Sequence, residues 1–295
     1  MLVNFFLNST PLWKQKQILM DFADSVGGKC VKKHDRYEEC DVAVIFGSWK
    51  KTPTKEWKKD FVRHHHVKQT IIASHKDKPL IVLETPLLGR TIAQIHENYR
   101  VGLQHYMHGL ADFKNKNSKS DRFDNLKLKV SPWRKKGEHI LLMGQNMTDA
   151  SLFGIDFQLW VTNTIHYLRK HTDREIRFRD HPENKKLMKN HIQSFAYKNV
   201  TYSKNEDIKK DFKNAHCTVS YTSGSSIDSI LAGIPVIPCN EYNFLWPISS
   251  HSLSDIENPK CGEREQLLYD LAYAQWSVEE IRQGKPCLLY TSDAA

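Results

Sequence analysis

Residues His216–Ile237 read HCTVSYTSGSSIDSILAGIPVI, and this stretch carries the fold class. His216–Tyr221 is an apolar run of strand length that breaks at Thr222-Ser223-Gly224. Ser225–Ala232 has helical spacing and is stopped by Gly233, and Pro235–Pro238 is a further strand. A strand, a small-residue loop, a helix and another strand make a β-α-β unit, the building block of a parallel sheet with helices on its faces.

The alternation extends outward from there. Upstream lie a helix at Ile208–Asn214, a short strand at Val200–Tyr202, and a strand at Glu175–Phe178 that runs into Arg179-Asp180-His181-Pro182. Before them come an amphipathic helix, Phe157–His171, and the strand His139–Met143, which ends at Gly144. The first half repeats the theme with strands at Leu2–Leu7, Cys40–Phe46 and Pro79–Leu83. Between them the spacing predicts helices over Leu12–Val26, stopped by Gly27-Gly28, and over the basic Thr54–His75. Phe113–Lys136 is polar, basic and broken by Ser-Pro, which suits an interdomain connection or an exposed loop system. The expected fold class is therefore α/β: two Rossmann-like doubly wound domains facing a cleft, over residues 1–130 and 137–286. The last residues, 287–295 (CLLYTSDAA), read as a sequencing-adapter tail and stay outside the functional reading.

A chain of 295 residues suits two such domains, and 40% hydrophobic with 26% charged residues excludes global disorder. No apolar run approaches the roughly 20 residues of a membrane-spanning helix. The opening MLVNFFLNSTPLWKQ lacks a basic region before its apolar run, so it reads as a first strand rather than a signal peptide. Six cysteines without a CxxC pair point to a reducing, cytoplasmic setting. The net charge of +9 favours an anionic partner, leaving open nucleotide, nucleic acid, polyanionic glycan and an anionic membrane surface.

Two segments carry the candidate chemistry. The loop Thr222, Ser223, Gly224, Ser225 and Ser226 leads directly into a helix, where backbone N–H groups and hydroxyls suit an anion. Serine and threonine are also ordinary helix caps, so a simple turn is the competing reading. The second segment, RFRDHPENKK, brings Arg177, Arg179, Asp180 and His181 to the end of a strand. There His181 can donate to a phosphate and Asp180 can fix its tautomer. A surface turn after an edge strand is the alternative.

Taken together, His181-Pro182 and Ser225-Ser226, followed by LAGIPVI, resemble the C-terminal domain of GT-B glycosyltransferases over Glu138–Pro238. The likeness is to bacterial sialyltransferases and capsular Kdo-transferase-like proteins. It implies that His181, Ser225 and Ser226 contact a donor nucleotide's phosphate, with Thr222, Ser223 and Gly224 in the same phosphate-binding loop. Gly144, Arg179 and Asp228 are candidates for the donor's sugar or nucleotide. Many enzymes of this kind carry a glutamate for the ribose where this chain has only Asp228, so the nucleotide stays open. The resemblance also implies that 137–286 binds the nucleotide-sugar and 1–130 the acceptor. The nucleotide-sugar is itself the substrate, so no cofactor or metal is expected.

An inverting transferase needs a base in the first half. Glu84, just after a buried strand, is the first candidate, and a salt-bridged or capping acid is its competing reading. His105, His108 and Asp112 follow, with His105 and His108 placed on one helical face. Asp41 opens its strand and is set aside. His64-His65-His66 cannot converge on one ion from a helix, so a solvated basic face is expected there. Lys55, Lys58, Lys59, Arg63 and Lys68, with Lys127, Lys129, Arg134, Lys135 and Lys136, make either ordinary surface charge or a rim for a polyanionic acceptor such as a glycan or hydroxymethylated phage-type DNA. Tyr242, Phe244 and Trp246 either stack on a base or sugar or pack under the C-terminal helices. The expected function is metal-independent sugar transfer from a nucleotide-sugar to an acceptor hydroxyl. A nucleotide-sugar 2-epimerase and a basic nucleic-acid-binding protein are the alternatives.

Overall fold

A computed structural model describes residues 1–10, 12–33, 36–47, 59–90, 97–147, 149–184, 187–194 and 197–287, with backbone alone at 59–63, 187, 190 and 193–194. The chain forms two compact units, Met1–Leu126 with Leu268–Ala295, and Lys127–Leu267. Each holds one sheet of mainly parallel strands, the α/β class expected.

The first unit contains β1 (Val3–Phe6), α1 (Trp13–Val26), β2 (Lys29–Val31), β3 (Val42–Phe46), α2 (Lys59–Ser74), β4 (Leu80–Glu84), β5 (Asn98–Leu103) and the short α3 (Asp121–Asn125). From the other end of the chain it takes α8 (Glu265–Tyr273) from Leu268 onward, β11 (Gln275–Ser277) and α9 (Val278–Arg282). The sheet order is β11-β5-β4-β3-β1-β2, with β1 to β4 parallel and β5 antiparallel to both its neighbours. β1 and β3 are buried along their whole length. On α1, Ile18, Leu19, Phe22 and Ala23 form one face, and they pack with Phe5, Val44 and Phe46 into a core. The helix ends at Gly27, whose φ of 65° is the left-handed cap that glycine adopts without a Cβ penalty.

The second unit contains β6 (His139–Met143), α4 (Phe157–Leu168), β7 (Glu175–Arg179), α5 (Leu187–Ser194), β8 (Val200–Tyr202), α6 (Ile208–Phe212), β9 (Ala215–Ser220), α7 (Ser225–Leu231) and β10 (Val236–Pro238). All five strands are parallel in the order β10-β9-β6-β7-β8. Counted from β6, this is the doubly wound Rossmann order, and it reverses between β6 and β9. Ile140 and Leu142 enter one core while Leu141 and Met143 enter another, which explains why HILLM shows no alternation.

Three expectations are corrected here. The chain after Leu267 returns to the first unit instead of remaining in the second. There β11 extends the first sheet through β5, and α9 packs on α1. Cys287, assigned to the tail, is buried in the first core at 5% exposure, and residues 288–295 lie outside the described ones. His105 and His108 follow the strand β5, and no helix forms there. Among the described residues no helix is long and apolar enough to cross a membrane.

Candidate functional site

In an all-parallel sheet every strand-to-helix loop leaves the same edge, and ligands favour the point where strand order reverses. In the second unit that edge carries the loops after β6, β7 and β9. Gly144 ends β6 with its N–H on the Arg179 carbonyl at 2.6 Å, and a Cβ there would stand 2.7 Å from that oxygen. The two loops thus approach at a distance only glycine permits.

The next residue is the hub. Buried Gln145 donates from Nε2 to the hydroxyls of Thr222 (2.9 Å) and Ser151, while its Oε1 accepts from the Thr222 N–H at 3.2 Å. Its backbone carbonyl accepts from Asn184 Nδ2 at 3.0 Å, and Asn184 Oδ1 accepts from Met147 N–H. One glutamine and one asparagine therefore stitch together the loops after β6, β7 and β9. Neither was singled out in the sequence. The signal available was an amide residue close behind each motif, in MGQN and HPEN.

This stitching divides the predicted residues. Thr222 is buried, and its hydroxyl also donates to the Ser151 carbonyl at 2.8 Å. Ser226 is fully buried with its hydroxyl 2.7 Å from that of Ser220, so it faces the sheet, and the expectation that it touches phosphate is corrected. Ser223 is buried, and its hydroxyl accepts from the Ser225 N–H at 3.4 Å. The Ser226 and Ile227 N–H groups are taken by the carbonyls of Ser223 and Gly224, which reduces the array of donors expected at the start of α7. Gly224 and Ser225 remain half-exposed, as does Asp228 in the first turn of α7.

The loop after β7 divides similarly. Arg179 forms an ion pair with the fully buried Asp211 at 2.6 Å and donates to the carbonyls of Asn205 and Glu206. It is a clip on the loop before α6, which corrects its assignment to the donor sugar. Asp180 accepts from Asn184 Nδ2 at 2.7 Å, from the Tyr202 hydroxyl and from the His181 backbone N–H. These bonds hold the loop. The ring of His181 is oriented by the Glu183 N–H, which donates to Nδ1 at 3.2 Å. With Nδ1 accepting, the neutral imidazole carries its proton on Nε2. His181 is half-exposed.

In the first unit, Glu84 ends β4 half-exposed at the carboxyl edge, with Oε1 accepting from the Thr85 N–H at 2.8 Å. Buried Lys68 on α2 donates to the Phe46 carbonyl at 2.8 Å. Its Nζ and the Glu84 carboxylate each lie 3.6 Å from the point a Gly47 Cβ would occupy. The main chain beyond Glu84 is gripped by buried Gln275, whose Oε1 accepts from the N–H groups of Leu87 and Leu88 at 2.6 and 2.7 Å.

His105 and Asp112 are elsewhere. Because β5 runs antiparallel, Glu84 pairs with Arg100 while Ile81 pairs with Leu103, so the residues after Leu103 lie at the opposite edge of the sheet. Burial, and secondarily the Arg100 charge, pushes the His105 imidazole down to about 4, and its ring stacks on Tyr106. Asp112 is exposed and pairs with Lys114 at 3.2 Å. Both are corrected as candidate bases.

The histidine triplet is corrected as well. His64 and His65 are buried, with His64 Nδ1 against the Asn8 carbonyl, and only His66 is exposed. The basic rim loses Lys68 to the Phe46 carbonyl and Arg134 to the carbonyls of Phe212 and Ala215. Lys55 and Lys58 lie outside the described residues.

No protein-family model matches the chain, and no curated protein matches it in sequence. Solved structures do match. The beta Kdo 2,7 transferase of Thermosulfurimonas dismutans KpsC aligns with a TM-score of 0.55 at 14% identity, over 98% of this chain and 100% of that one. The beta Kdo 2,4 transferase of the same KpsC aligns with a TM-score of 0.55 at 13% identity, over 92% of this chain and 90% of that one. A Methanocaldococcus jannaschii UDP-GlcNAc 2-epimerase reaches a TM-score of only 0.28 at 12% identity, over 76% of this chain and 64% of that one, and carries no weight. Nearly the whole of this chain thus shares a glycosyltransferase fold.

Proposed function

We propose that the protein transfers a sugar from a nucleotide-sugar to an acceptor hydroxyl. The observation that supports this most is the Gln145 junction, which draws the loops after β6, β7 and β9 together at the reversal point of the second sheet. At that edge the His181 ring is oriented by the Glu183 N–H and half-exposed, as are Gly224 and Ser225. Donors held in place before the reaction stabilise charge that builds on a leaving phosphate without reorganising, which is how such an edge lowers a barrier.

The acceptor's proton is assigned to Glu84. Its carboxylate stands half-exposed at the carboxyl edge of a parallel strand, close to the ammonium of Lys68, which is itself held on the Phe46 carbonyl. A base in this role contributes about 10²–10⁴-fold to the rate. An anionic glycan acceptor fits the net charge of +9, and the two proteins of the same fold are by their names Kdo transferases.

The test is thermal stabilisation of the wild type and of His181→Ala by a panel of UDP-, GDP-, CMP- and ADP-linked sugars. A nucleotide-selective rise in melting temperature that disappears in the variant is expected. A rise of equal size in both proteins removes His181 from the site. No rise with any of them rejects the donor reading.

A further inference from the structure

The loop after β6 contains a conformation that its sequence does not favour. Phe153 follows the short turn Ala150–Leu152 with φ 50° and ψ 25°, in the left-handed region that bulky L residues rarely enter. Phe153 is 41% exposed, whereas Leu152 beside it is 2% exposed and packs into the core. An outlier of this kind persists only where the surrounding structure imposes it.

The surroundings do so. The Phe153 N–H is held by the Ala150 carbonyl at 3.0 Å. Asp149 caps the turn, accepting from both the N–H and the hydroxyl of Ser151 at 2.9 Å. The Ser151 carbonyl accepts from the Thr222 hydroxyl, and its own hydroxyl accepts from Gln145. The conformation of Phe153 is therefore tied to the loop after β9 by the same junction that assembles the site.

The ring also has a partner on the far side. Its centroid lies 4.9 Å from that of Tyr242, with the planes inclined at 51°. Tyr242 belongs to the loop after β10, where its N–H bonds Asn240 Oδ1 at 2.9 Å and Asn240 Nδ2 bonds the Tyr221 hydroxyl at 3.1 Å. β6 and β10 flank β9 on either side, so the loops that carry the two rings leave the sheet on either side of the loop Thr222–Ser226.

We propose that Phe153 and Tyr242 form the stacking platform for the base of the donor nucleotide, placed beside the loop that receives its phosphate. This rests on the nucleotide-sugar reading and adds the residues that hold the base. An exposed ring, backed by a second aromatic and locked at its backbone, presents a flat face at little entropic cost, and base–aromatic stacking accepts any nucleobase. Selectivity among bases then falls to polar groups at the rim, and the platform supplies affinity.

Two substitutions at Phe153 separate the ring from the backbone. Phe153→Gly removes the ring and suits the left-handed conformation, while Phe153→Tyr keeps the ring. Binding of CMP, UMP, GMP and AMP to the full chain is measured by titration calorimetry, with the melting temperature of each variant alongside. The expected result is an affinity about tenfold weaker in Phe153→Gly for whichever nucleotide binds, with no lower melting temperature, and wild-type affinity in Phe153→Tyr. Wild-type affinity in Phe153→Gly overturns the platform and leaves the donor reading intact. Equal weakening in both variants also overturns it, because the ring would then not be the cause. Absence of any nucleotide binding by the wild type overturns the donor reading and the platform with it.

Discussion

The carboxyl edges of the two sheets are organised in different ways. In the second unit, side chains tie one loop to another: Gln145 to Thr222, Asn184 to the Gln145 carbonyl and the Met147 N–H, Arg179 to Asp211. In the first unit, single side chains brought by helices and by the returning C-terminal segment grip main-chain groups at strand ends. His64 takes the Asn8 carbonyl, Lys68 the Phe46 carbonyl and Gln275 the N–H groups beyond Glu84. The first arrangement makes a rigid, cross-linked rim in which most polar residues are already engaged. The second holds the backbone and leaves a carboxylate at the edge. A donor phosphate benefits from fixed dipoles, and a base must present its own oxygen, so each edge suits the role proposed for it.

The largest test of the cross-linked rim is Asp211→Ala. Asp211 is fully buried and accepts from Arg179, Ser203 and Asn205, so its loss strands a guanidinium and two polar groups. A destabilisation of about 3–5 kcal/mol in urea denaturation is expected. Less than about 1 kcal/mol would mean that the clip does not hold the rim. The corresponding test of the first edge is Glu84→Gln, which keeps shape and removes the base. Turnover is expected to fall about 10²-fold or more with the melting temperature unchanged, and a base located elsewhere would leave turnover intact.

Gly144→Ala probes the close approach of β6 and β7. A Cβ 2.7 Å from the Arg179 carbonyl forces the backbone apart, for about 1–3 kcal/mol of stability together with weaker nucleotide binding. Loss of stability without loss of binding would separate the junction from the site.

The smallest effect is on acid stability. Burial lowers the pKa of His65, His75, His105, His108, His139 and His216, with His105 falling to about 4. The unfolded chain binds these protons first as pH falls below about 6.5. Stability is therefore complete above that pH and declines towards pH 4, and His105→Asn should flatten the decline by about 1 kcal/mol at pH 5. A pH-independent unfolding midpoint over that range contradicts the burial of these rings.

Much of the architecture was legible beforehand because it follows from local pattern. Runs such as VAVIF and HILLM, apolar on both faces, occur where helices cover both sides of a parallel sheet. The breaks at Gly27, Gly144 and Thr222-Ser223-Gly224 are local chain chemistry in the same way. The antiparallel β5 was missed because Asn98–Leu103 has too weak an alternation to declare its direction, and direction depends on which edge of the sheet is vacant.

The tertiary structure alone decided which polar residues are engaged and which face out. Ser225 and Ser226 are adjacent and chemically identical, yet helical geometry turns Ser226 towards Ser220 and leaves Ser225 at the rim. Arg179 stands two residues from His181 and is spent on Asp211, a partner 32 positions away. Glu84 and His105 both flank strand ends of one sheet, but the reversed direction of β5 puts them at opposite edges. Pattern in the chain sets element type because the forces involved act over a few residues. The availability of a side chain depends on distant partners, and those are known only once the sheets are assembled.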